Sequence, residues 1–246
     1  MANWQRGVLR LMGVRNHPVE VVSVEDFTPW YRRIVFSSPE FVRALEVVPT
    51  LWLRLWVPNP ARGEGGVSQR GYTFVDVRPA EGTFALEFVL HDTAGPAGDW
   101  ARRAEPGERP EAALTPAKIS VPAGTTTLLL AGDATALPAI TGWLAQVPDE
   151  LTVRVYLEDG HEDHHALPLG SRAGTEFTWV PPEGGPGAAL AAAVIAAESP
   201  GPGRYAWAAG ERSLVKALRP VLREHLGLDR AHRFTQSYWI AGRAAG

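Results

Sequence analysis

The hydrophobic pattern of this chain changes period part-way along, and that change limits the fold more than any other feature. Up to about residue 115 the apolar runs are short and strand-like. Residues 19–24 form a β-branched run, residues 32–36 form another closed by Ser38-Pro39, and residues 51–57 alternate. The alternation puts Leu51, Leu53, Leu55 and Val57 on one face. A polar, Gly-rich loop follows at 59–66, and residues 70–77 and 83–91 read as strands joined by a turn near 79–82. Short strands at this spacing predict a barrel or sandwich. After Pro122 the texture differs. Residues 126–131 are continuously apolar, which suits a strand buried on both faces. Residues 136–147 carry apolar side chains at helical spacing, and 151–158 alternate as a strand. Residues 188–197 predict a helix, 205–208 a strand, and 211–226 a helix interrupted near Pro220. Strands alternating with helices predict a parallel sheet of the nucleotide-binding kind. The expectation is a two-domain chain, all-β then α/β, split into residues 1–120 and 121–246 with the boundary near 115–125.

Composition narrows the chemistry. The chain has 246 residues, a net charge of −3 and no cysteine, so disulfides, thiolate catalysis and cysteine metal sites are excluded. A balance this close to neutral gives no broad attraction to nucleic acid or an anionic membrane. Apart from Lys118 and Lys216 the basic charge is arginine, the side chain suited to planar phosphate and carboxylate recognition. No apolar run reaches the roughly 20 residues of a membrane span. The apolar pairs near Arg6 and Arg10 are too short for a signal core. A cytoplasmic protein is expected.

Two stretches could carry chemistry. In Arg70-Gly71-Tyr72-Thr73, strand geometry puts Arg70 and Tyr72 on one face and Thr73 on the other. A guanidinium can pair with a pyrophosphate, a tyrosine ring can stack on a flavin, and a hydroxyl can meet a ring nitrogen. An ordinary amphipathic strand gives the same pattern. Downstream, Gly95-Pro96-Ala97-Gly98-Asp99-Trp100-Ala101 offers small residues before a helix start, where backbone N–H groups can approach a phosphate, or simply a loop with a buried Trp. Gly132-Asp133-Ala134-Thr135-Ala136 follows a buried strand and opens a helix, the place where open α/β sheets bind ligands. Asp133 or Thr135 could equally be a helix cap. His161-Glu162-Asp163-His164-His165 matches H-E-x-x-H in letters only: it follows a strand and Gly160 and soon meets Pro168, so a solvated loop is expected rather than a zinc site. The nine tryptophans are expected mostly in the core.

Taken in order, these motifs resemble the siderophore-interacting proteins, flavin-dependent ferric-siderophore reductases built like ferredoxin reductases. The matching stretches are R-x-Y-T at 70–73, the strand ending at His91, G-P-A-x-x-W-A at 95–101 and G-D-x-T-A-L-P-A-I at 132–140. Trp207-Ala208-Ala209-Gly210-Glu211 and Tyr238-Trp239-Ile240-Ala241-Gly242 complete the series. The resemblance implies a six-stranded antiparallel barrel holding FAD, and an α/β domain for NADPH or NADH. It implies that Arg70 holds the FAD phosphates, that Tyr72 and Thr73 meet the flavin where the chemistry occurs, and that His91, Ala97 and Trp100 line the dinucleotide. Asp133 and Thr135 would lie near its far end. Trp207, Gly210 and Glu211 would belong to the nicotinamide nucleotide, and Trp239 could cover a ligand.

The chain departs from the family pattern in several places. Val75 and Ala134 replace an arginine and an acidic residue, residues 114–118 replace a G-P-x-G segment, and Ile240 stands where a basic residue is usual. Lysines that often meet an anionic siderophore are mostly missing. The leading expectation is an FAD-dependent NAD(P)H oxidoreductase reducing a ferric siderophore, with no resident metal, as a monomer or homodimer. The alternative is the same fold reassigned to specialised metabolism, as a flavoenzyme on an organic metabolite or a non-redox cyclase. A third reading is a cofactor-free chelate binder.

Overall fold

A computed structural model of the chain describes residues 15–90, 95–115, 119 and 121–242. The chain divides into two compact units, residues 1–117 and 118–245.

Among the described residues, the first unit is antiparallel β with two short α-helices. Its strands are β1 (His17–Pro18), β2 (Glu20–Thr28), β3 (Tyr31–Ser37), β4 (Trp52–Pro58), β5 (Val67–Thr73), β6 (Val75–Arg78), β7 (Thr83–Val89) and β8 (Glu111–Thr115). Helix α1 (Pro39–Arg43) follows β3, and α2 (Pro96–Arg103) lies between β7 and β8. The strands form two four-stranded sheets, ordered β1-β8-β4-β5 and β2-β3-β7-β6. The six strands expected of a barrel are the longer ones; the two-residue β1 and the four-residue β6 are additions. Alternation decides what is buried. Leu53, Leu55 and Val57 of β4 are fully buried with Ile34, Phe36, Phe84 and Leu86. The expected strand 70–77 is broken: Phe74 turns into the core, and Asp76 takes a positive φ of 47° at a register shift between Val75 and Arg78.

The second unit is α/β. Strands β9 (Thr127–Asp133), β10 (Thr152–Glu158), β11 (Thr175–Val180), β12 (Arg204–Glu211) and β13 (Arg233–Trp239) alternate with helices α3 (Leu137–Gln146), α4 (Ala188–Ala197) and α5 (Arg212–Pro220). The sheet order is β11-β10-β9-β12-β13, and every pairing is parallel. Leu128, Leu129, Leu130 and Ala131 are fully buried, as a central strand covered on both faces requires. The order of the sheet reverses between β9 and β12, so the topological switch point lies outside their C-terminal ends. Those ends are Gly132-Asp133 and Gly210-Glu211, two of the stretches singled out by sequence. Four edge or short strands, β1, β8, β11 and β13, do not follow from the pattern. The expected helix 211–226 is α5 followed by a π-helical turn, Val221–His225, so Pro220 ends the α-helix.

Candidate functional site

Strand β5 lies at the edge of its sheet. Phe74 N donates to Leu51 O at 3.0 Å and Asn59 N to Gly66 O at 2.7 Å. With Tyr72 opposite Leu53 and Arg70 opposite Leu55, this register turns the backbone groups of Arg70 and Tyr72 toward β4. The intervening Gln69, Gly71 and Thr73 therefore aim their N–H and C=O groups at the other edge, where no strand pairs with β5 among the described residues. Side chains separate as expected. Arg70 and Tyr72 share the face of Leu55 and Leu53, while Thr73 shares the face of Trp52.

Tyr72 packs on Phe88 of β7, ring centroids 4.3 Å apart and tilted by 44°. Burial pushes its hydroxyl pKa up, with the Arg70 charge opposing. Arg70 is half-buried, and its Nη1 donates to the Gln69 carbonyl at 2.6 Å. Burial pulls its guanidinium below the ordinary range, and the like charge of Arg62 adds to the effect. Among the described residues no carboxylate pairs with it. A cation held partly out of water with a second cation nearby is unfavourable unless an anion joins it.

The opposite face carries a residue that the sequence reading passed over. Arg54 of β4 lies over the Trp52 ring, 4.9 Å from its centroid, and donates to Thr115 Oγ1. Burial lowers its pKa, and no carboxylate pairs with it among the described residues. It stands opposite Gly71, where a Cβ would come within 3.0 Å of the Trp52 ring. Arg54, Trp52 and Thr73 thus share one face, with Arg54 a row along from the Thr73 hydroxyl.

Three more residues are expected at the cofactor: His91, Ala97 and Trp100. His91 lies outside the described residues. Ala97 and Trp100 are on α2, but both are buried, and Trp100 Nε1 donates to Glu108 Oε2 at 2.8 Å. The Trp100 ring sits 5.9 Å from Phe88, the residue behind Tyr72. Their contribution in this structure is to pack the wall on which Tyr72 rests.

At the switch point the structure joins Asp133, Thr135, Gly210, Glu211 and Trp239. Asp133 Oδ1 accepts from Thr135 N at 2.9 Å and from Thr135 Oγ1. Its Oδ2 accepts from Glu211 N at 2.7 Å and Trp239 Nε1 at 3.0 Å. Burial raises the Asp133 pKa, although these donors oppose it. Gly210 has φ +143°, and a Cβ there would lie 2.6 Å from Asp133 Oδ2; only glycine lets the carboxylate cross to β12. Burial also acts to raise Glu211, but the backbone N–H groups of Ala241, Ser213 and Leu214 outweigh it and hold this carboxylate below its ordinary range. Trp207 is fully buried, its ring 6.4 Å from Tyr238 and nearly edge-on to it. A third carboxylate, Glu158, ends β10 opposite Asp133, which the sequence reading did not single out. Its oxygens accept from Gly187 N at 2.8 Å and Leu190 N at 3.4 Å, and burial raises its pKa, with Asp133 contributing.

Residues 161–165 are not on an α-helix. A 3-10 turn, His164–Ala166, is the helical element there. His161 pairs with Asp159 at 2.7 Å, and His164 stacks on Trp179 at 4.3 Å. No cluster of three or more metal-ligating side chains occurs among the described residues.

Two family models match the chain. One, described as siderophore-interacting protein, covers residues 125–242. The other, described as siderophore-interacting FAD-binding domain, covers residues 63–114, so the strand carrying Arg70, Tyr72 and Thr73 belongs to an FAD-binding domain. The mycobactin import ATP-binding/permease protein IrtA of Mycolicibacterium smegmatis is 38% identical over 252 residues, covering 100% of this chain and 28% of that protein. The chain therefore spans little more than a quarter of that relative. Ferric vibriobactin reductase ViuB of Vibrio cholerae is 27% identical over 186 residues, 71% of this chain and 65% of ViuB. The siderophore-interacting protein SipS from Aeromonas hydrophila superposes with a TM-score of 0.81 at 23% identity, covering 94% of this chain and 93% of that one. A ferredoxin NADP+ reductase from Neisseria gonorrhoeae with bound FAD and NADP gives a TM-score of 0.66 at 14% identity, covering 91% and 99%. These likenesses establish a ferredoxin-reductase-like fold.

Proposed function

The chain belongs to the siderophore-interacting protein family, and we propose that it is an FAD-dependent NAD(P)H oxidoreductase that passes electrons to a ferric chelate. The observation that carries the reading is Arg70, a half-buried guanidinium with no carboxylate partner among the described residues, on the outermost strand of its sheet inside the FAD-binding domain. The residues present fit that cofactor: a cation lacks its anion, an aromatic face is backed by Phe88, and backbone donors and acceptors point away from the sheet. When bound, FAD supplies the exchange between hydride and single-electron chemistry.

The chain's own residues bind and orient. Arg70 would hold the phosphates, charge against charge. Tyr72 would offer its ring, held in place by Phe88 and, behind it, Trp100. Thr73 would offer its hydroxyl and the edge backbone groups to the polar rim of the flavin. NAD(P)H would dock outside the C-terminal ends of β9 and β12, where the sheet order reverses. The ferric chelate is substrate. Arg54, stacked on Trp52 on the Thr73 face, would supply the positive charge that an anionic chelate requires and that Ile240 does not. No side chain need act as acid or base. The activities for which IrtA and ViuB are named, mycobactin import and ferric vibriobactin reduction, favour an iron chelate over another organic acceptor.

The visible spectrum of the purified protein tests the reading. It should show flavin bands, lose them on adding NAD(P)H without oxygen, and regain them on adding a ferric chelate. Flavin bands that NAD(P)H leaves unchanged would favour the reassigned flavoenzyme. A colourless protein that takes up no added FAD would overturn the proposal.

A further inference from the structure

The segment Tyr238 to Gly242 is held at three points, and each holder belongs to one of the stretches at the switch point. Trp239 Nε1 donates to Asp133 Oδ2 at 3.0 Å. Ala241 N donates to Glu211 Oε1 at 3.2 Å. The buried Trp207 ring lies edge-on beneath Tyr238 at 6.4 Å. Strand β13 is a sheet edge, and its register with β12 slips between Gly210 and Glu211, so Ser237 pairs with Gly210 and Trp239 with Glu211 while Tyr238 is passed over. Backbone pairing alone therefore fixes this end of β13 poorly.

The Asp133 carboxylate has no acceptor capacity left for a ligand. Each oxygen already accepts twice, from Thr135 N and Oγ1 on one side and from Glu211 N and Trp239 Nε1 on the other. A buried anion is also the wrong charge to receive a pyrophosphate. What the carboxylate does instead is bridge β9, β12 and β13 through a gap that Gly210 leaves open.

We propose that Asp133 is a positioning residue: with Glu211 it moors the C-terminal segment so that the Trp239 indole stands at the nucleotide edge of the sheet, ready to pack against a planar ring of NAD(P)H. The inference rests on the reading of that edge as the NAD(P)H seat. Asp133 and Glu211 act through the segment they hold and do not touch the nucleotide. Trp207 supports the same segment from inside.

The test uses the full chain with two variants, W239F and D133A. W239F keeps an aromatic ring and removes the donor. D133A removes both carboxylate oxygens and with them the acceptor of the Trp239 indole N–H, whereas an asparagine can turn its NH2 to the Thr135 hydroxyl and keep its oxygen on the indole. In 15N-labelled protein the Trp239 indole N–H, identified by its loss in W239F, should exchange slowly in the wild type and at least about tenfold faster in D133A, the scale of one lost hydrogen bond. In turnover with a ferric chelate, each variant should raise KM for NAD(P)H about tenfold with kcat within about threefold. The double variant should be no worse than D133A alone, because both changes remove the Trp239–Asp133 contact. Unchanged indole exchange in D133A would overturn the mooring. A wild-type KM in W239F, or additive effects in the double variant, would overturn the positioning role. Should D133A fail to fold, the W239F KM decides alone. A wild type that oxidises no NAD(P)H refutes the function reading, and the exchange measurement still decides the mooring.

Discussion

Arg70, Arg54 and Asp133 are charged side chains that the fold takes partly out of water, and each is compensated differently. Asp133 is compensated internally by four donors. Arg70 has one neighbouring carbonyl and Arg54 one hydroxyl, so both keep charge to spend on a ligand. Replacing Arg54 with Gln should raise KM for a ferric chelate by about tenfold, the scale of one charge-assisted hydrogen bond, while FAD content measured from the flavin absorbance stays at the wild-type level. Tyr72 is expected to act through its ring. Y72F should retain FAD like the wild type, and Y72A should lose most of it on gel filtration; equal loss from both would assign the contact to the hydroxyl instead. Arg70, Tyr72 and Thr73 were legible because their alternation on a strand gives their faces directly. Arg54 was not, because it occupies the polar side of an alternating strand, where an arginine ordinarily points to water. Its desolvation comes from Trp52 and Thr115, a juxtaposition that the sheet makes and that local sequence does not show.

Among the elements, those with a strong period were legible and the edge strands were not. Helix α4, Ala188–Ala197, and the buried strand β9 follow from unbroken apolar runs. Strands β11 and β13 are sheet edges with mostly half-exposed side chains, and β8 is short and rich in alanine, so none has a clear buried face to read. The junction of β9 and β12 depends on backbone that other residues cannot follow. G210A forces a Cβ toward Asp133 Oδ2 at a φ of +143° and should cost at least about 2 kcal/mol in urea unfolding. A loss below a few tenths would show that Asp133 can move aside. At the C-terminal end of α4, Glu198 accepts from Tyr156 Oη at 2.7 Å, Arg154 Nη1 at 3.1 Å and Arg204 Nη1. Burial alone would raise this carboxyl, but Tyr156, Arg204 and Arg154 hold it below its ordinary value of 4.5. Its stabilising contribution is therefore present above pH 4.5 and lost as pH falls through the lower folded value. E198Q should lose about 3 kcal/mol at pH 7 and show a flatter stability curve below pH 4.5. An unchanged acid limb would contradict the assignment.

For the whole molecule, the change of hydrophobic period announced two units of different class, and the structure has an antiparallel unit followed by a parallel one. The sheet order then puts the G-D-x-T and A-G-E stretches side by side at the switch point, which no spacing in the sequence could show, since they lie 78 residues apart at their hydrogen-bonded pair. No helix among the described residues is long and apolar enough to cross a membrane. The proposed function rests most on Arg70 of β5 as the phosphate seat of an FAD site. Titrating FAD and riboflavin into flavin-free wild type and R70A, followed by flavin fluorescence, tests it most directly. R70A should weaken FAD by about 2 kcal/mol, on the order of thirtyfold, and leave riboflavin, which has no phosphate, within about twofold. Equal weakening of both ligands, or none of either, would contradict it.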